Sequence, residues 1–397
     1  MQSSSLLSIP GTPAWIRKNK AVFLQILQGW AITRALLMLV AWFSQYFPAN
    51  SVYQRYIDAG HQFTRFWLLD IWARWDSRWY LSIVKFGYIP GETLGEGYSN
   101  LAFFPLYPYL IKLFTFFLPS SLRTNALLIA VGLLISNVLF IAALCCLYEL
   151  GRSCFTDGSG LKAVLMTLAL PGAYFFSTFY TESLFLFLIV FAFYFAEHER
   201  WAWAGIFAML ASLTRPHGIL LAVPLLLFYM RSRNWQLRCI RPNLAWFLLI
   251  PLGVLLHFGH LYRITSDPLA FFKAQSVWGR TVGSIFNAAF FEPLTKVDNQ
   301  VAWVDFLLIL TAIVLSAVLM LQRKYWIYGI YSLLCALILL NSGSFYSMSR
   351  YVSVIFPLTL FLAEKIRSKA LFWGLCLLFW TLQTMLYAGW VNYYWIA

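Results

Sequence analysis

Apolar runs recur along the chain near residues 21–43, 125–148, 161–177, 183–197, 201–214, 218–230, 243–262, 303–321, 325–340, 353–363 and 371–390, separated by short polar or basic connections. Several approach the roughly 20 residues a helix needs to cross hydrocarbon, and a helix satisfies its own backbone hydrogen bonds where water is absent. The pattern predicts an all-α polytopic membrane protein with about 11 transmembrane helices. A further apolar run, residues 101–118, is interrupted early by Pro105 and Pro108. Counting it as a crossing would put the basic stretch 231–241 on the opposite side from the basic N-terminal segment. It therefore reads as a juxtamembrane or re-entrant segment.

Lys and Arg in short connections set the orientation. RSRNWQLRCIR at 231–241, QRK at 322–324 and EKIRSK at 364–369 mark one side as cytoplasmic. With that assignment the inner connections hold 15 basic and 5 acidic residues, the outer ones 13 and 10, and Arg34 falls within the first span. The chain reads as a single membrane domain, residues 1–397, with a first external loop at 44–124 and a second at 263–302.

Composition narrows the picture further. Of the 397 residues 61% are hydrophobic, 19% aromatic and only 11% charged, more apolar surface than one soluble core requires. The net charge of +14 comes with no nucleic-acid-binding motif, and membrane orientation accounts for it. Residues 21–43 exceed a signal-peptide core and lack a small-residue cleavage site, so they read as a signal anchor. Six cysteines show no CxxC spacing, so neither a disulfide framework nor a zinc site is indicated, and no feature demands a cofactor.

Polar chemistry concentrates on the outer side. WARWDSRWYL at 72–81 carries Asp76, TFYTES carries Glu182, LTRPHG carries Arg215 and His217, and SMSRY carries Arg350. An ionisable group near hydrocarbon is costly unless paired or functional, and here four segments bring one to the same face. Two roles are open to Asp76. It can cap a helix that runs through RWYLSIVKF and stops at Gly87, its side chain accepting a backbone N–H, or it can do chemistry at the membrane surface. Trp75 and Trp79, four residues apart, suit an aromatic stripe anchoring that helix in the interface. Glu182 can cap the next span or pair with an arginine. Arg215, just before Pro216, and Arg350, after a polar turn, can grip an anion or snorkel to headgroups. Arg34 requires an anionic partner or a wet cavity. His217 reads first as a hydrogen-bonding structural group.

Taken in order, RWDSRWYLSIVKFGY, AFFPLYP, LPGAYFFSTFYTESLFLFL, SLTRPHGILLAVP and SRYVSVIFP resemble the PIG-V family of membrane mannosyltransferases. The resemblance implies a GT-C glycosyltransferase fold with juxtamembrane helices in the first external loop. It implies transfer of mannose from a polyprenyl- or dolichyl-phosphate mannose donor to a glycolipid or other membrane-associated acceptor. Asp76 matches the family's WD acid and is the expected general base. Arg215, Arg350 and Arg34 are the expected donor phosphate contacts. Glu182, His217, Tyr80, Tyr107, Trp75 and Arg78 complete the expected substrate-binding set. His217 stands where relatives often carry a small polar residue. With no N-x-S/T sequon, a bacterial plasma membrane with an extracytoplasmic site is the expected home, an ER membrane with a luminal site the alternative. A transporter or flippase of a lipid-linked saccharide is the competing class, although no convincing inverted repeat is visible.

Overall fold

A computed structural model describes residues 9–53, 56, 59–90, 99–156, 158–277, 300–341, 347–394 and 396. Residues 278–299 of the second external loop and 342–346 of the turn before Arg350 lie outside this set. The main helices are α1 (Lys20–Ser44), α2 (Ser77–Phe86), α3 (Leu106–Phe114), α4 (Asn125–Cys154), α5 (Ser159–Ala169), α6 (Glu182–Glu197), α7 (Trp201–Thr214), α8 (Ala222–Ser232), α9 (Leu249–Thr265), α10 (Gln300–Met320), α11 (Trp326–Leu340), α12 (Met348–Val352), α13 (Phe356–Lys365) and α14 (Lys369–Val391). The described residues contain no strand.

Among them 5 helices are long and apolar enough to cross a membrane: Lys20–Ser44, Asn125–Cys154, Pro242–Thr265, Val301–Met320 and Lys369–Val391. Most of the other expected spans are shorter. Prolines explain much of this, since the ring removes a backbone donor and clashes with the preceding turn. The chain breaks at Pro171 after α5, at Pro216 after α7 and at Pro357 on entering α13. The short helices sit inside the bundle. Nearly every residue of α6 is buried, and α4, α7 and α8 pack around it. The long helices α1, α9 and α14 instead expose many large apolar side chains, as lipid-facing helices do.

The run at 101–118 contains only the nine-residue α3, about 14 Å long and too short to cross. Tyr107 and Ile111 face the protein, whereas Leu113, Phe114, Phe116 and Phe117 are exposed. α3 is therefore a juxtamembrane helix packed on α2 and α4.

Candidate active site

The helix expected after Asp76 is present. It runs from Ser77 to Phe86 and stops at Gly87, whose φ of 76° suits a residue without a Cβ. Its expected cap is not. Asp76 occupies the cap position, but its carboxylate accepts no backbone N–H from the helix. Oδ2 instead accepts a hydrogen bond from Arg350 Nη1 at 2.7 Å. A guanidinium held in a dry wall is a stronger partner than one more backbone amide, so the tertiary pairing overrides the local cap.

Trp75 also departs from the expected interfacial stripe. Its φ of 51° places it in the left-handed region, one turn-forming residue before the helix, and it is buried. Trp79 is buried too and stacks on Phe103 at 5.9 Å. Both rings pack against protein rather than lipid. A sharp turn at Trp75 is what swings Asp76 toward α12.

Glu182 opens α6 and is wholly buried. Its Oε1 accepts from both Arg215 Nη2 and Arg350 Nε, so a single carboxylate oxygen ties together two arginines. Arg215 ends α7 in an extended conformation, φ −154° and ψ 149°, as expected for a residue before proline. Its Nε donates to Thr181 Oγ1 at 2.9 Å. The Arg350 guanidinium lies 4.3 Å from the Tyr180 ring centroid, a cation–π platform. The hydroxyl of Tyr180 accepts the Asp76 backbone N–H at 3.0 Å and donates to the Arg74 carbonyl at 3.2 Å. Asp76, Glu182, Arg215 and Arg350 thus form one alternating cluster, with Asp76 at its accessible rim.

Other segments fix the pieces. Asp305 on α10 accepts the Ser349 backbone N–H at 2.7 Å, which holds the turn carrying Arg350. Gly172 lets that turn approach closely, because a Cβ there would run into Ser349 O and Ser353 Oγ. Asp70 accepts backbone N–H groups from Gln62, Phe63 and Thr64 at 3.0, 2.8 and 3.0 Å and pairs with Arg74, fastening the loop that leads into Asp76.

The remaining candidates lie at varied distances from this cluster. Tyr80 hydrogen bonds to Thr181 Oγ1 at 3.4 Å; burial pushes its phenol up to about 12, so it stays protonated. Tyr107 is buried behind it, bonded to Ser136 Oγ at 3.1 Å and edge-on to Tyr80. His217 packs 6.0 Å from the Tyr351 ring, whose face also lies against Arg215. Arg78 lies over Trp79. Arg34 stands apart: its Nη2 donates to the Ala173 carbonyl at 3.1 Å and it bonds to none of the four cluster residues. Among the described residues no group of three His, Cys, Asp or Glu is placed to hold a metal ion.

Sequence reasoning passed over Tyr180, Thr181, Asp305 and the Asp70–Arg74 pair. A signal existed for Asp305, an acid inside the apolar run VAWVDFLLIL. Tyr180 had none, since nothing local distinguishes a ring beneath a distant guanidinium from any other buried aromatic.

Comparison with known proteins places this site in a wider setting. The family model described as Mannosyltransferase (PIG-V) matches residues 61–258. ArnT from Cupriavidus metallidurans, in its crystal structure bound to undecaprenyl phosphate, superposes with a TM-score of 0.50 at 15% identity, covering 88% of this chain and 62% of that one. The oligosaccharyltransferase of Archaeoglobus fulgidus gives a TM-score of 0.47 at 16% identity, covering 89% and 53%. This chain is thus similar to less than two thirds of the length of either protein. No curated protein matches its sequence. The fold is that of the GT-C membrane glycosyltransferases.

Proposed function

The chain belongs to the PIG-V family of membrane mannosyltransferases, and from that premise we propose that it transfers mannose from a polyprenyl- or dolichyl-phosphate mannose donor to a hydroxyl of a lipid-linked or other membrane-associated acceptor. The observation that carries this reading is the pairing of the rim carboxylate Asp76, 14% exposed, with the buried guanidinium of Arg350. An acid that substrate can reach thereby stands beside a cation suited to phosphate.

In this reading Asp76 takes the proton of the acceptor hydroxyl, whose oxygen attacks the anomeric carbon. The bond from that carbon to the phosphate oxygen breaks, and its electron pair leaves with the lipid phosphate. Arg350 and Arg215 stabilise the charge that develops there, worth more in a dry site than in water. One displacement inverts the anomeric centre. Glu182 keeps both guanidiniums aligned, Tyr80 and His217 border the sugar, and Trp75, Arg78 and Tyr107 shape the wall behind it. Arg34 acts at one remove, through the 173–177 turn.

The site faces the extracytoplasmic side, on the distribution of Lys and Arg, with a bacterial plasma membrane as the setting. The domain assignment proposed is one membrane domain whose first external loop, 44–124, carries the catalytic motif, with a second external loop at 263–302.

The test is purified protein with radiolabelled polyprenyl-phosphate mannose and native membrane lipids. A new mannosidic bond is expected, and Asp76→Asn, folded, should slow its formation about 10²- to 10⁴-fold. Wild-type rates from Asp76→Asn would remove the base assignment. Movement of labelled lipid across vesicles with no covalent product would favour a flippase.

A further inference from the structure

At the end of the bundle away from Asp76, a cavity of about 270 Å³ opens between α5 and α13. The separation follows from the helices: Glu182 and Glu197 bound α6, a 16-residue helix about 24 Å long. Glu197 is hydrogen bonded to Tyr328, and the neighbouring Tyr325 reaches Glu364 on the cavity wall at 2.9 Å. The cavity therefore belongs to the opposite membrane face and is separate from the candidate active site.

Its lining is basic. Among the described residues Lys162, Lys365 and Arg367 contribute three cations and Glu364 one carboxylate, and Thr156 and Ser159 add hydroxyls. Glu364 accepts a hydrogen bond from the Tyr325 hydroxyl at 2.9 Å and keeps its charge, so the described lining is still net positive. Lys and Arg are expected on an inner face for orientation alone, and such residues ordinarily extend freely into solvent. Lys162 does not. It is half-buried, its Nζ donating to the Ile366 carbonyl at 3.0 Å and lying 5.9 Å from the Phe372 ring centroid. It is a cation fixed at the mouth of a cavity.

Just beyond Arg367 the exposed side chains turn apolar: Leu371 and Trp373, at the start of α14, are 55% and 56% exposed. A basic hollow whose Lys162 reaches Phe372, the chain neighbour of the exposed Leu371 and Trp373, matches a molecule with an anionic head and a hydrocarbon body. We propose that this cavity binds the phosphate of an anionic phospholipid of the cytoplasmic leaflet, with the acyl chains lying along α14. The apolar strip is what favours a phospholipid over free phosphate, which shares the headgroup chemistry.

The experiment uses the full chain purified in detergent. Native mass spectrometry reads lipid retained after mixing with phosphatidylglycerol or phosphatidylcholine, with and without inorganic phosphate. The wild-type chain should retain phosphatidylglycerol selectively, and millimolar phosphate should not displace it. Lys162→Gln/Arg367→Gln should weaken retention about thirtyfold. Arg323→Gln/Lys324→Gln, the same loss of charge in a neighbouring connection outside this cavity, should leave it unchanged. Should the first pair fail to fold, the exposed Arg367→Gln alone should weaken retention about fivefold. Equal loss in both pairs would reduce the effect to diffuse surface charge and overturn the site, as would unaltered retention in Lys162→Gln/Arg367→Gln. Displacement by inorganic phosphate would overturn the lipid assignment. No mannose transfer enters the readout, so its outcome is independent of the proposed activity.

Discussion

Changing Glu182 to glutamine removes one negative charge and almost no volume, so it isolates the electrostatics of the cluster. In the wild-type chain two carboxylates face two guanidiniums, and the side chains of Glu182, Arg215 and Arg350 are 0%, 7% and 4% exposed. The glutamine amide still fits, but Arg215 then has no carboxylate, while Arg350 keeps Asp76. Removing one partner of a buried pair leaves the other charge desolvated and uncompensated, which costs about 3–5 kcal/mol. Denaturant unfolding of the detergent-solubilised protein, followed by tryptophan fluorescence, should show that loss. Glu182→Gln/Arg215→Gln carries no orphan charge and should recover a large part of it, giving a coupling energy of opposite sign to the single-variant effect. A Glu182→Gln protein within about 1 kcal/mol of wild type, the level of an exposed pair, would mean that water already screens these charges. The reasoning would then fail, together with the view of Glu182 as the junction of the site.

Two further outcomes follow from the surrounding contacts. Tyr180→Phe keeps the ring under Arg350 but loses the hydroxyl that holds the Asp76 N–H, so kcat should fall about tenfold while the donor KM stays level. Tyr180→Leu, which also removes the cation–π platform, should raise the donor KM as well; equal effects from both variants would reduce Tyr180 to a packing residue. Gly172→Ala should destabilise by about 1–3 kcal/mol and lower activity, because its Cβ would push on the Ser349 carbonyl beside Arg350. Gly374→Ala meets nothing within 4 Å and should not destabilise, so it serves as the comparison in thermal unfolding and transfer assays.

Much of the architecture was legible because it follows from local rules. Apolar runs gave the membrane helices, Gly87 stopped α2, Pro216 ended α7, and the parity of basic connections separated 101–118 from the spans. The same parity put Asp76, Glu182, Arg215 and Arg350 on one face, and the structure joins all four. What local rules missed was direction. An aspartate before a helix normally caps it, and only a guanidinium 274 residues away turns this one outward. A tryptophan in a left-handed turn carries no mark in sequence, and the expected interfacial stripe of Trp75 and Trp79 became packing inside the protein. Arg34 was visible as an intramembrane cation, yet its partner is a backbone carbonyl, a group every residue has and none advertises.

The oxygen shared on Glu182 also imposes an order on biogenesis. Arg215 follows Glu182 by 33 residues and Arg350 by 168. At typical translation speeds of about 5–20 residues per second, the nascent chain waits roughly 10–30 s between inserting the acid and synthesising its second counterion. Once Arg215 has been made, it alone restrains the carboxylate until Arg350 follows. A ribosome that stalls before residue 348 leaves a half-neutralised junction in the bilayer, a ready mark by which membrane proteases can tell an unfinished chain from a finished one.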